Sequence, residues 1–261
     1  YRLNNDLQKA EGELKTAIKL DPSSEEAVTT LAMLYTDEGD TAHALKVLAS
    51  IPDSARSAKL YAALGAAYEQ RKDFKDAIDA YKHAIVLDRD NLDAIRGLAE
   101  NLMNDGQLDA ALEQYKVIAD SNPEDAQTYV RMAEIYRRQA KFDLALENLK
   151  RADTLVPDTM DVPYSMAAVY QAQGRYDDAI KLLQDLVKKT EKSETGSSQA
   201  DRNNRAIFVE RLGMVYREQE NYTAAVDTFR KMLSLGDENA RSGYQEIIDT
   251  YRDAKLWPQA T

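Results

Sequence analysis

With 261 residues, 44% hydrophobic and 30% charged, the chain is too apolar for a disordered polymer and too polar to be built of membrane spans. Its formal net charge of −11 argues against nucleic-acid binding, which draws its affinity from neutralising phosphates. Cysteine is absent, which removes disulfides, thiolate nucleophiles and the common zinc clusters together.

No run of 18 or more apolar residues occurs, so no membrane-spanning helix is expected. Along the chain three slots recur in fixed relation. An aromatic or leucine stands at Tyr1, Tyr35, Tyr68, Leu102, Tyr136, Tyr170, Tyr216 and Tyr251. Nine residues later comes alanine each time, at Ala10, Ala44, Ala77, Ala111, Ala145, Ala179, Ala225 and Ala260. Three residues before the aromatic sits a small or branched residue: Ala32, Gly65, Ala99, Ala133, Ala167, Gly213 and Ile248. A large residue follows four after the alanine, at Leu14, Leu48, Tyr81, Tyr115, Leu149, Leu183 and Phe229. Such a period implies stacked copies of one small unit.

Each unit reads as two amphipathic helices of about 14 residues, an ordinary helix length. In residues 126–139, Tyr129, Met132, Ala133 and Tyr136 fall on one helical face. Gly39, Gly106 and Gly174 mark the turn between paired helices, where a left-handed backbone is needed. Lys72, Ala140 and Glu220 occupy that slot elsewhere. The excess of tyrosine, 15 against 4 phenylalanines, is thereby structural.

The spacing of the alanines is 34, 33, 34, 34, 34, 46 and 35 residues, and this pattern resembles the tetratricopeptide repeat. The resemblance implies an all-α fold: a right-handed superhelical solenoid of antiparallel helix pairs over residues 1–261 as one domain. It would hold about six full repeats plus partial repeats at both ends. The irregularities come in order. The second repeat is one residue short near Pro52, which ends its helix early, and Pro163 lies in the first turn of another helix. The 46-residue interval holds an elongated helix or loop around residues 188–204, with a tolerated surface insertion the blander explanation. Tyr1 already occupies the aromatic slot, and Leu256, Trp257 and Ala260 match the start of a second helix. Neither end carries a polar cap, so a fragment of a longer protein is expected, with apolar edges able to stack on copies of themselves.

No catalytic, cofactor-binding or metal site is expected. His43 and His83 stand 40 residues apart in different repeats, and paired acids such as Asp177 and Asp178 suit helix N-termini. Asn221-Tyr222-Thr223 matches a glycosylation sequon by coincidence with a turn. In the resembled family the first helices line a concave groove for a peptide or partner helix. Mapped onto that face, the candidates are Met33, Arg96, Glu100, Met103, Arg131, Arg137, Arg138, Tyr164 and Arg217. The family's clamp for chaperone C-termini is not matched, since Arg131 alone agrees with it. The arginines suit an acidic protein or peptide, because guanidinium binds carboxylate bidentately. The commoner explanation is that Glu100 and Glu134 simply pair with those arginines in solvated intramolecular ion pairs. The methionines suit adaptable contact or plain burial. The readings left open are an interaction scaffold, a non-catalytic arm of a larger enzyme or sensor, and a self-assembly module using its ends.

Overall fold

The computed structural model describes residues 7–191 and 198–255, and among these every regular element is helical. Tyr1, Leu256, Trp257 and Ala260 lie outside the described residues, as does the 192–197 part of the expected insertion. The chain divides into two compact units, Tyr1–Pro123 and Glu124–Thr261.

The first unit opens with α1 (Leu7–Leu20), followed by three hairpins: α2 (Glu25–Asp37) with α3 (Thr41–Leu48), α4 (Ala58–Gln70) with α5 (Phe74–Leu87), and α6 (Leu92–Asn104) with α7 (Leu108–Ser121). The second unit holds α8 (Ala126–Arg138) with α9 (Phe142–Leu155), α10 (Asp161–Ala172) with α11 (Tyr176–Glu191), α12 (Gln199–Glu218) with α13 (Tyr222–Arg230), and then α14 (Asp237–Asp253). Within each unit every helix packs on the next in sequence. Side-chain caps start many of them: Ser24, Asp40, Ser57, Asn91, Asp125 and Asn221 each accept a first-turn backbone N–H. Asn221, the sequon residue, is thus engaged as a helix cap.

The repeating slots are the core. Ala44, Ala77, Ala111, Ala145, Ala179 and Ala225 are all fully buried, as helix crossings that admit only a methyl group require. Four residues on, Leu48, Tyr115, Leu149, Leu183 and Phe229 are also at 0% exposure, and each such burial contributes about 1.5–3 kcal/mol. The third slot is small because these large side chains point at it. A Cβ on Gly65 would meet the Tyr81 ring at 2.7 Å, and one on Gly213 would collide with the Phe229 ring.

The two chain irregularities have local consequences. The helix before Pro52 is only eight residues long, and a 3-10 turn at Asp53–Ala55 replaces its last turns. Around the expected insertion α11 extends to 16 residues and α12 to 20, so much of the added sequence on either side of 192–197 is helical.

Candidate protein-interaction face

Successive first helices are neighbours at α2 and α4, α4 and α6, α8 and α10, and α12 and α14, whereas α10 and α12 approach each other less closely. That junction follows the long interval, and long side chains bridge it. Arg211 of α12 lies over the Tyr164 ring of α10, with 5.4 Å from guanidinium carbon to ring centroid. Its Nε donates to Tyr164 Oη at 3.3 Å and its Nη1 to Gln171 Oε1 at 3.2 Å. Gln171 Nε2 in turn donates to Glu218 Oε1 at 2.7 Å, and Phe208 tilts against Tyr164 at 5.7 Å between centroids.

Both acceptors of Arg211 are neutral. Among the described residues no carboxylate forms an ion pair with it. A stacked, hydrogen-bonded guanidinium is already oriented, so little freedom is lost when it takes a carboxylate. Beside it, burial first and then Glu246 push the Glu210 carboxyl above its ordinary range, with Arg211 opposing them.

The neighbouring arginines are differently occupied. Arg137 donates to Glu134 through Nε and Nη2, both at 2.8 Å, and Arg138 Nε reaches the same carboxylate at 2.8 Å. Burial works to raise Glu134, but the hydrogen bonds from Arg137 and Arg138 outweigh it and hold the carboxyl low. Arg217 is committed across α12 and α14, with Nη1 on Glu246 at 2.8 Å and Nε 3.6 Å from Asp253.

Of the residues expected from sequence, Arg96, Glu100 and Met33 fall in the first unit; Arg131, Arg137, Arg138, Tyr164 and Arg217 fall in the second. Met33 is 42% exposed and available. Met103 is a correction: at 4% exposure it packs inside the first unit, because its position on α6 turns it inward beside Leu102. Arg96 and Glu100 are half-buried one turn apart on α6. Arg211 was missed. Its signal was available, since it stands five residues before Tyr216 as Arg131 stands before Tyr136.

The first unit has a polar node of its own. Glu69 Oε2 accepts from Tyr81 Oη at 3.0 Å and from the fully buried Asn101 Nδ2 at 2.8 Å. Burial first, then Glu69, drive the Tyr81 hydroxyl far above its ordinary value. His43 pairs with Asp40 at 2.7 Å and His83 stacks on Tyr61, both at the surface. Among the described residues no group of three or more acids and histidines is arranged to hold a metal, and no helix is long and apolar enough to cross a membrane.

Stacked hairpins with alanine crossings and left-handed turns define a helical-repeat protein. One model described as tetratricopeptide repeat matches residues 1–68 and again 69–134, and a second of that description matches 164–240. A model of anaphase-promoting complex, cyclosome, subunit 3 matches 106–186. The chain belongs to the tetratricopeptide repeat family. Among solved structures it is similar to a tetratricopeptide repeat protein from Parabacteroides merdae, at 16% identity and TM-score 0.70, covering 89% of this chain and 92% of that one. It is similar to the APC/C hetero-tetramer Cut9-Hcn1 at 18% and 0.63, spanning 97% of this chain but 48% of that one. It also resembles YrrB, described as having an unusual peptide-binding site, at 19% and 0.56, covering 67% and 91%. At these identities the likeness is one of fold. No curated protein shows significant similarity to the chain.

Proposed function

We propose that the chain is a non-catalytic protein-interaction scaffold that holds an acidic partner segment on the first-helix face of its second unit. Arg211 is the anion contact. The observation that carries this is a guanidinium oriented by Tyr164 and Gln171, with no carboxylate among the described residues at ion-pair distance and only the longer-range field of Glu210 acting on it. An arginine kept for structure alone would be expected to pair with one of the many carboxylates available. The family supports a binding role, and two similar structures are described by an assembly and by a peptide site.

The test titrates fluorescein-labelled acidic peptides into the intact chain and measures anisotropy. Arg211→Gln should weaken binding about ten-fold, which corresponds to about 1.4 kcal/mol. Arg137→Gln should change it little, because that charge is spent on Glu134. Equal affinity of the intact chain and Arg211→Gln would remove the site from this face.

A further inference from the structure

The open end of the hairpin formed by α10 and α11 contains a cavity of about 350 Å³, lined by Pro163, Leu182, Asp185, Leu186, Lys188 and Lys189. The repeat register explains why this hairpin differs. Seven residues before the aromatic slot the other hairpins hold Val28, Tyr61, Ile95, Tyr129 and Val209; this one holds Pro163. A pyrrolidine ring is closed on its own backbone nitrogen and cannot extend across the hairpin as a tyrosine does. Leu186, 1% exposed, and half-buried Leu182 supply apolar wall.

The rim is charged in the opposite sense to the molecule as a whole. Lys188 and Lys189 stand in the last turn of α11, where cations complement the helix C-terminus. Neither ammonium has an ion-pair partner among the described residues, and Asp185 is the one acid of the lining. The volume lies at the lower end of small-ligand sites, about 300–1,000 Å³, which suits one large side chain and not a helix. The sequence between Glu191 and Ser198, KSETGS, contains no apolar side chain that could occupy it.

We propose that this cavity docks a single leucine- or phenylalanine-sized side chain of a partner segment in which carboxylates flank that residue. The walls bury the apolar group, and Lys188 and Lys189 attract its acidic neighbours. The site does not depend on Arg211. Its test follows the Leu182 and Leu186 methyl resonances of the intact chain while Ac-Glu-Leu-Glu-NH2 is added. Both methyls should shift saturably. Binding should be about five-fold weaker for Ac-Gln-Leu-Gln-NH2 and for the peptide with Lys188→Glu/Lys189→Glu, as two exposed ion pairs would give. Ac-Glu-Ala-Glu-NH2 should leave the methyls unmoved. Unmoved methyls with the leucine peptide, equal shifts from the glutamine peptide, or unchanged binding in the double variant would each overturn the proposal. So would shifts that appear with protein concentration alone, which would identify a second copy as the occupant.

Discussion

Gly39, Gly106 and Gly174 adopt φ of 79°, 81° and 72°, and the residues in the same slot of the other hairpins, Lys72, Ala140 and Glu220, adopt 64°, 56° and 62°. Every one of these turns closes with the same bond, from the backbone N–H of the next residue to the carbonyl of the aromatic slot: Asp40 to Tyr35, Asp73 to Tyr68, Gln107 to Leu102, Lys141 to Tyr136, Arg175 to Tyr170 and Asn221 to Tyr216. The turn between paired helices therefore takes a left-handed residue whether or not glycine supplies it. An L-residue there costs about 1–2 kcal/mol, and glycine gives back about 0.4–1 kcal/mol through its looser unfolded state. Lys72→Gly, Ala140→Gly and Glu220→Gly should each stabilise the protein by about 0.5–1 kcal/mol, measured as a rise in denaturant midpoint at constant slope. A lowered midpoint at all three would contradict the turn assignment.

Between elements, two carboxylates on first helices have opposite electrostatic roles. Glu134 on α8 is held low by Arg137 and Arg138 despite its burial, so its ionised form stabilises the native state above the ordinary glutamate range, near about 4.3. That contribution fades as pH falls through the lower folded value. Glu210 on α12 is raised by burial and by Glu246 on α14, so the native state bears the cost of its charge above the raised value. The cost vanishes below the ordinary value, where both states are protonated. At pH 7, Glu134→Gln should lower the thermal midpoint and Glu210→Gln should raise it. Both differences should shrink towards pH 4, and same-signed changes at pH 7 would contradict this account.

For the whole molecule, stability in a repeat protein is a sum over neighbouring hairpins, so pieces with their own buried clusters can stand alone. The first unit buries Leu31, Leu34, Leu48 and Leu60 in one cluster; the second buries Leu183, Val209, Leu212 and Phe229 in another. Fragments 1–123 and 124–261, expressed separately, should each be helical by circular dichroism and unfold cooperatively on heating. A fragment that is unfolded at 25 °C would show that it needs the other. The proposed sites on α10, α11 and α12 both lie in the second unit, so fragment 124–261 should retain them.

The sequence by itself determined the elements and their core, because a 34-residue recurrence of alanine, large residue and aromatic fits a helical packing that buries the first two and at least half-buries the aromatic. It also located the left-handed turns, the early end of the helix before Pro52 and the place where the period breaks. Tertiary structure decided which of the candidate side chains are covered and which of their charges are paired. Periodicity says which helix carries a residue, but not whether a neighbouring helix covers it or a nearby carboxylate cancels its charge. Met103 is therefore core, Arg137 and Arg138 share one glutamate, and Arg217 is tied to α14. Repeat register puts Arg211 in the same slot as Arg131, but its contacts with Tyr164 and Gln171, with no carboxylate among the described residues at ion-pair distance, are visible only in the structure.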